Sequence, residues 1–310
     1  MTMDEPVDRP GDATLRFDAE RPRLVGLAYR ILGSRLDAED VVQEAWIRFE
    51  AADRDSIREE AAWLTTVVSR LALDHLRSAR VRREQYVGPW LPEPVLGQTI
   101  DTTAAAVGVD PAHAAEMAES LTFGFLRMLE ALGPEERVIF LLADVFAMPF
   151  ADIAAIVDRS PEACRQVASR ARQRVRADRD HPAMASPDAQ EIAGRLVAAI
   201  AAGEMEQVVA LLADGAVLIS DGGALTHAAR RPVVGPHRIS RFLVNLSGRM
   251  PRGMEVEPAE LNGDPGVVMR VRGALFMAIA LHVADGQVHE VHVVRNPEKL
   301  AALEVDGTIV

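Results

Sequence analysis

The hydrophobic pattern of this chain changes between residues 178 and 216, and this change limits the folds that the chain can adopt. Before residue 178, apolar residues recur three and four positions apart, which is the spacing of one face of an α-helix. After residue 216, short apolar runs alternate with turn signals, and Asp285-Gly286 separates two of them as in a β-hairpin. Helices followed by strands predict a multi-domain protein with all-α domains and then an α+β domain.

Breaks in the helical pattern predict two all-α domains rather than one. Between residues 86 and 111 the pattern lapses, because Gly88, Pro89 and Gly97 interrupt any long element. The predicted units are a disordered tail at 1–14, a helical domain at 15–88, a linker at 89–111, a second helical domain at 112–178, a linker at 179–187 and an α+β domain at 188–310.

Charge is distributed unevenly along the chain. The formal net charge of -12 excludes a protein that coats nucleic acid through its overall positive charge. Residues 159–179 nevertheless hold seven arginines against two acidic residues, and a second basic stretch lies at 70–83. Two basic helices on an acidic body indicate that nucleic acid is bound locally while other surfaces face a different partner.

The composition also bears on the cellular location. Cys164 is the only cysteine and lies at an apolar helix position, so we expect a core residue, no internal disulfide and a cytoplasmic location. The longest apolar run, at 274–281, is far shorter than the roughly 20 residues that span a bilayer. We therefore expect neither a membrane span nor an export signal.

A short helix followed by a strongly basic helix is predicted at 150–176. Ser160 is placed to cap the second helix, with a proline at the first helical position. One polar stripe on that helix includes Arg165, Gln166, Ser169 and Arg170. Because Arg and Gln pair bidentately with guanine and adenine edges, this pattern predicts a DNA-binding helix-turn-helix.

An amphipathic helix with an acidic outer face is predicted from Asp37, which we interpret as its N-cap, to Phe49. A polar loop at 51–57 leads into a long helix at 59–80, with arginines on its outer side. A simple helix-turn-helix repressor needs neither of these helices.

The segment Trp90-Leu91-Pro92-Glu93-Pro94 is an unusual part of the first linker. It places an aromatic ring and a leucine on an extended stretch that proline stiffens. Such a segment exposes costly apolar surface unless it docks against another part of the protein.

Taken together, the chain resembles an extracytoplasmic-function (ECF) RNA polymerase sigma factor. The resemblance covers residues 17 to about 178 and is carried by the stretches 36–46 (LDAEDVVQEAW), 63–70 (WLTTVVSR) and 169–172 (SRAR). The 90–94 segment and the carboxy-terminal domain resemble the subgroup that carries a fused SnoaL-like domain. Two motifs of that subgroup occur here with one change each, as Asp221-Gly222-Gly223-Ala224 and as Asn296-Pro297-Glu298-Lys299-Leu300. Ala224 replaces a glycine of the subgroup and leaves the geometry of that loop in question.

The resemblance implies a sigma factor that binds core RNA polymerase and directs promoter recognition, DNA melting and transcription initiation. It implies sigma region 2-like and region 4-like helical domains, then a SnoaL-like cone that regulates them from within the same chain. The implied partners are core polymerase, through its β′ clamp helices and β subunit, and promoter DNA. We expect no catalytic residue, cofactor or metal, and a monomer when the protein is free.

The resemblance implies four groups of site residues. The polymerase contacts are Asp37, Glu39, Asp40, Gln43 and Glu44. The contacts to the upstream-of-start element are Asp53, Arg54, Ser56, Arg70, Asp74 and Arg77, and the contacts to the distal promoter element are Arg165, Gln166, Ser169, Arg170, Arg172 and Arg174. The interdomain regulatory residues are Trp90, Leu91, Pro92, Glu93, Pro94, Asp221, Gly222, Gly223, Asn296, Pro297, Glu298, Lys299 and Leu300.

Two alternatives stay open from the sequence. One is a helix-turn-helix regulator with a ligand-sensing domain, and the other is an enzyme whose cone converts a small molecule. For the enzyme, counting outward from the hairpin turn places His282 opposite His289, with His292 on the other face and Asp221 as a candidate pocket acid. Such residues are more often ordinary strand and turn residues. A small-molecule ligand in the cone is open in either case.

Overall fold

The computed structural model describes residues 10–53, 56–84, 86–96, 120–178 and 187–305. Arg54 and most of the predicted 89–111 and 179–187 linkers lie outside the described residues. Within the described part of the chain, no helix is long and apolar enough to span a membrane.

The first helical module consists of α1 (Pro10–Leu32), α2 (Arg35–Ala51) and α3 (Glu60–Glu84). Helix α1 begins at Pro10, inside the predicted tail, and ends at Leu32, just before Gly33, whose φ of 68° an L side chain rarely adopts. The predicted N-cap of α2 was wrong, because Ser34 is the cap and accepts a 3.1 Å hydrogen bond from the Asp37 amide. Extended backbone at Ser34 lets α2 start at once after the glycine.

The second helical module consists of α4 (Phe123–Leu129), α5 (Pro134–Phe140), α6 (Phe150–Val157) and α7 (Pro161–Asp178), with a π-helical turn at Leu141–Val145 after α5. Asp158 ends α6 at a φ of 56°, and the Ser160 hydroxyl accepts a 3.2 Å hydrogen bond from the Ala163 amide at the start of α7. The predicted helix-turn-helix is therefore confirmed, and Cys164 is buried on the inner side of α7.

The two helical modules pack against each other in one hydrophobic cluster that runs from Ala13 to Val175. Two buried arginines join them. Arg30 of α1 donates a 2.7 Å hydrogen bond to the Ser120 hydroxyl, and Arg137 of α5 donates a 3.1 Å bond to the Arg30 carbonyl. The modules therefore lie closed on each other instead of hanging apart on a linker.

The carboxy-terminal module is α+β, as expected. Its elements are α8 (Pro187–Ala202), α9 (Met205–Leu211), β1 (Leu212–Asp221), β2 (Val233–Val234), α10 (Pro236–Ser247), β3 (Met254–Leu261), β4 (Asp264–Val271), β5 (Ala274–Ala284), β6 (Gln287–Val294) and α11 (Pro297–Val305). The six strands form one sheet in the order β2-β1-β6-β5-β4-β3. Its inner face packs on α8 and α10, and its outer face packs on α11 and on residues of the helical modules.

The register of β5 and β6 differs from the prediction. Ala284 pairs with Gln287 across the expected turn, but a bulge after His282 makes His282 pair with Glu290 instead of His289. His292 pairs with Ala280, so it shares the outer face with His282. The predicted facing pair of His282 and His289 was therefore wrong, because the bulge adds one residue that counting from the turn cannot reveal.

Candidate functional site

The outer side of α2 presents a mixed acidic and apolar surface. Asp40, Gln43 and Glu44 are exposed, and Leu36 and Ile47 on the same stripe are 42% and 53% exposed. We call these five residues the α2 surface. Exposed apolar residues among acids are typical of a protein-binding surface.

Asp37 and Glu39 lie beside this surface and are already engaged. Asp37 lies 3.3 Å from His75, and Glu39 forms a 2.6 Å ion pair with Arg21. Both carboxylates are half-buried. They therefore support the packing of α1, α2 and α3, while the α2 surface stays open.

The predicted DNA contacts of α3 point at the second helical module. Arg70 donates a 2.7 Å hydrogen bond to the Ala155 carbonyl of α6, and Arg77 forms a 2.8 Å ion pair with Glu135 of α5. Asp74 is exposed and lies 3.3 Å from Arg77. In this conformation both arginines are occupied by protein groups.

Glu135 of the second module binds two arginines, Arg77 of α3 in the first module and Arg159 in its own module. Its second oxygen accepts hydrogen bonds of 2.6 and 2.9 Å from Arg159 at the turn of the helix-turn-helix. Burial alone would raise the pKa of Glu135, but Arg159 and Arg77 outweigh it and lower that pKa. The carboxylate is therefore charged at neutral pH and holds α3 and the helix-turn-helix together.

The loop before α3 is only partly described. Asp53 and Ser56 are exposed, and the Ser56 hydroxyl donates a 2.5 Å hydrogen bond to the Asp53 carbonyl. Both side chains lie at the amino-terminal side of α3, apart from Arg70 along the helix.

The polar stripe of α7 faces solvent as the spacing predicts. Arg165, Gln166, Ser169 and Arg170 are all exposed. Arg172 and Arg174 face back toward the module, where they form ion pairs of 2.6 and 2.7 Å with Asp144 and Glu136. The stripe is thus open to solvent, with Arg165 also 3.2 Å from Glu162, whereas Arg172 and Arg174 stabilise the module.

The 90–94 segment is docked between the helical modules and the α+β domain, and Asp221 holds one end of it. The buried Asp221 carboxylate accepts hydrogen bonds from the Tyr86 hydroxyl at 2.6 Å and the Leu91 amide at 2.8 Å, and pairs with the Lys299 ammonium at 2.7 Å. Lys299 also bonds the Leu91 carbonyl and lies 4.1 Å from the centre of the Trp90 ring.

The glycine-containing loop after Asp221 is shaped for this contact. A side chain at Gly223 would meet the Asn296 amide at 2.9 Å, and its φ is 58°. The positive φ falls on Gly223 rather than on Ala224, which is exposed, so the substitution at Ala224 leaves the loop able to form. Asn296 donates a 2.8 Å hydrogen bond to the Tyr86 hydroxyl and caps α11 through the Glu298 amide.

Glu93 fastens the other end of the 90–94 segment to the first module. Its buried carboxylate accepts hydrogen bonds from the Ser34 hydroxyl at 2.9 Å and the Arg35 amide at 2.6 Å, directly at the start of α2. Burial raises the pKa of Glu93 although these donors favour the charged form. The Leu36 amide also donates a 3.2 Å hydrogen bond to Glu93, so the segment meets α2 where the α2 surface begins.

Sequence reasoning missed Asn262, which contacts three parts of the chain. Its side chain accepts a 3.0 Å hydrogen bond from the Val95 amide and donates to the Tyr29 hydroxyl at 2.6 Å and the Leu121 carbonyl at 3.0 Å. The sequence did contain a signal for a turn at this position, because Asn-Gly is a strong hairpin dipeptide, and Asn262-Gly263 joins β3 to β4.

The outer face of the sheet also binds α4. Arg127 forms a 2.7 Å ion pair with Glu290, and Phe123 stacks on the fully buried His292 with ring centres 5.4 Å apart. Burial alone would raise the pKa of Glu290, but His292 and Arg127 outweigh it and hold this pKa at about 2. Of the histidines in the enzyme alternative, His292 thus belongs to a packed interface, and His282 lies on the same outer face of the sheet.

The described residues contain no cluster of three or more His, Cys, Asp or Glu residues that could hold a metal ion. Asp221 pairs with a lysine and faces the linker rather than a cavity. The candidate site is therefore a set of binding surfaces joined by an interdomain contact.

A helix-turn-helix beside a helical module with an open acidic face defines a DNA-binding transcription protein, here with an α+β domain docked on both. Models of sigma-70 region 2 and sigma-70 region 4 match residues 16–82 and 123–175. The chain belongs to the ECF family of RNA polymerase sigma factors.

Known relatives match more than nine-tenths of this chain. It is 42% identical over 296 residues to the ECF RNA polymerase sigma factor SigJ of Mycobacterium tuberculosis, which covers 91% of each chain. It is 31% identical over 290 residues to the probable ECF sigma factor SigI of the same organism, covering 93% of this chain and 94% of SigI. The crystal structure of M. tuberculosis SigJ matches with a TM-score of 0.72 at 37% identity, over 94% of this chain and 99% of SigJ.

Proposed function

We propose that this sigma factor acts in the cytoplasm in two states, a closed one that the α+β domain holds and an open one that binds polymerase and promoter. The observation that carries this proposal is the docking of the 90–94 segment, which Asp221 and Lys299 hold at one end and the start of α2 holds at the other. A domain that grips the linker between two DNA-binding modules can control how far they separate.

The α2 surface is the proposed contact to the β′ clamp helices of core polymerase, with further contacts to the β subunit. Asp40, Gln43 and Glu44 are open in the closed state, and Leu36 and Ile47 add apolar area beside them. Charge complementarity at such a surface speeds and orients docking, while the apolar residues supply affinity. Polymerase can therefore engage α2 before the modules open.

The double substitution Asp40→Arg with Glu44→Arg should abolish factor-dependent transcription. Reversing two charges on the α2 surface places like charges against a complementary partner and costs several kcal/mol. The measurement is run-off transcription by sigma-free core polymerase on the chain's own upstream region, together with a pull-down of core polymerase.

The matched control carries the same charge change elsewhere, as Glu191→Arg with Asp214→Arg at exposed positions of the α+β domain. It should transcribe like the wild type. Wild-type binding to polymerase by the Asp40→Arg, Glu44→Arg protein would show that the α2 surface is not the contact.

For promoter recognition, we propose that the α7 stripe reads the distal element in the major groove. The loop of Asp53, Arg54 and Ser56 would hold an unstacked base of the upstream-of-start element, with Arg70 and Arg77 on its phosphates. Since Arg70 and Arg77 contact α6 and Glu135 in the closed state, α3 can bind DNA only after the helix-turn-helix moves away.

Glu135→Gln should raise the affinity of the free protein for single-stranded DNA about fivefold, because it frees the single-strand contacts of α3 that the closed state occupies. Ion pairs of this exposure contribute roughly 0.2–1 kcal/mol each, and about 1 kcal/mol is a factor of five in the ratio of open to closed protein. The measurement is fluorescence anisotropy with labelled DNA at low salt.

Glu162→Gln is the control for general charge, because Glu162 also pairs with an arginine, but within α7 at 3.2 Å from Arg165. Equal gains in DNA affinity from the two variants would mean that removing any negative charge near the DNA surface suffices. Such a result would count against Glu135 as the contact that holds α3 and the helix-turn-helix together.

Catalysis by the α+β domain is not part of this proposal. An enzyme would need Asp221 and the histidines His282 and His292. Asp221 binds the linker, and both histidines lie on the outer face of the sheet. The regulatory role instead uses the outer face, which contacts Leu91 and Phe123.

A further inference from the structure

The α+β domain contains an apolar cavity of about 90 Å³ between the inner face of the sheet and helices α8 and α10. Its floor is formed by buried residues of β4, β5 and β6, among them Met269, Met277 and Leu281. Met254 and the exposed Val256 of the edge strand β3 lie at its mouth. The cavity is separate from the linker contact and from both DNA-binding surfaces.

The lining decides what this cavity can hold. Apart from Ser247, every side chain that lines it is apolar. A carboxylate or ammonium group placed there would lose its hydration without a compensating partner, which costs several kcal/mol or more. The cavity therefore selects against charged molecules.

Its size and flexibility suit a small apolar group. An engineered apolar cavity of roughly 150 Å³ stays dry and takes up benzene, and this cavity is of the same order. Four of the lining residues are methionines, Met250, Met254, Met269 and Met277, whose unbranched side chains adapt to different shapes. Because this cavity is the smaller of the two, a single ring or the end of an aliphatic chain enters as the methionine side chains shift, while a longer tail can leave past β3.

We infer that this cavity is a binding site for an uncharged apolar small molecule. The binding itself is independent of the proposed sigma mechanism. Only the consequence of binding rests on that mechanism.

The sheet connects the cavity to the sigma modules. In β5, Met277 and Ile279 face the cavity. The alternating residues Ala278 and Ala280 point to the other side and belong to the outer cluster with Leu91 and Phe123. In β6, Val291 faces the cavity, and its neighbours Glu290 and His292 contact α4. A ligand that repacks the inner face thus acts on strands that directly hold the linker and the second helical module.

The test is an NMR titration of the full chain labelled with ¹³C-methyl methionine, using toluene as the apolar probe and benzoate as its charged counterpart. Met269→Leu and Met277→Leu assign the two methyl signals of the floor. We expect saturable shifts of both signals with toluene, and benzoate binding that is at least tenfold weaker.

Ala201→Trp provides a variant that should block the cavity without disturbing the core, because Ala201 is exposed and lines the cavity edge. Ala202→Trp, next to it and outside the lining, is the matched control. Toluene shifts should disappear in the first variant and persist in the second.

Absence of saturable shifts with toluene, equal binding of benzoate, or wild-type binding by Ala201→Trp would each overturn the inference. None of these results would affect polymerase binding through the α2 surface, so failure of the cavity and failure of the sigma mechanism are distinguishable.

Discussion

Replacing Asp221 with alanine should lower the free energy of unfolding by about 3–5 kcal/mol, because it leaves the buried Lys299 ammonium without its carboxylate. The same change removes the acceptor of the Tyr86 hydroxyl and the Leu91 amide. The measurement is urea unfolding of the full chain, followed by tryptophan fluorescence, since Trp90 lies against Lys299.

Removing the second charge separates the ion pair from the other contacts. Asp221→Ala combined with Lys299→Met should recover only the part of the loss that comes from the unpaired ammonium, because the Tyr86 hydroxyl and the Leu91 amide still lack their acceptor. Asp214→Ala, at an exposed position of the same strand, should change stability by less than about 0.5 kcal/mol. A loss below about 1 kcal/mol for Asp221→Ala alone would show that solvent reaches Lys299 and that the contact is weak.

The same substitution should also release the linker. The Leu91 amide is protected by Asp221 in the closed state, so its hydrogen exchange should accelerate in Asp221→Ala more than that of amides in α2. Faster exchange at Leu91 with unchanged transcription would mean that linker docking stabilises the fold without regulating it.

Asn262→Asp should cost about 2–3 kcal/mol, although the two side chains have the same shape. The substitution keeps the acceptor for the Val95 amide and tolerates the φ of 56°, but it removes the donors to Tyr29 and Leu121. An unsatisfied buried acceptor costs roughly 1–3 kcal/mol. The measurement is again urea unfolding of the full chain.

This loss should depend on pH in a defined direction. Burial raises the pKa of a carboxyl group, so the new aspartate is neutral at low pH and can still donate one hydrogen bond. The loss should therefore grow as the pH rises through that raised pKa. Asn245→Asp, at an exposed position of α10, is the control and should show neither the loss nor the pH dependence.

Local features of the fold could be predicted because their causes lie within a few residues. The exposed stripe of α7, the Ser160 cap and the Asp285-Gly286 turn each depend on neighbours one helical turn or one hairpin apart. The pattern does not reveal strand β3, because this edge strand has an irregular mixture of exposed and half-buried residues and carries no clean period of two.

The sequence alone determined the order of helical and α+β modules, the exposed polar stripe of α7 and the residue types available for interdomain contact, because amphipathic periodicity and turn chemistry are local. Only the tertiary structure decided which residues meet. Asp221 pairs with Lys299, 78 residues away, and with Tyr86, 135 residues away, while Asn262 reaches Tyr29 across 233 residues. Partners so far apart are selected by the packing of whole modules, which buries them together and makes each unpaired polar group costly.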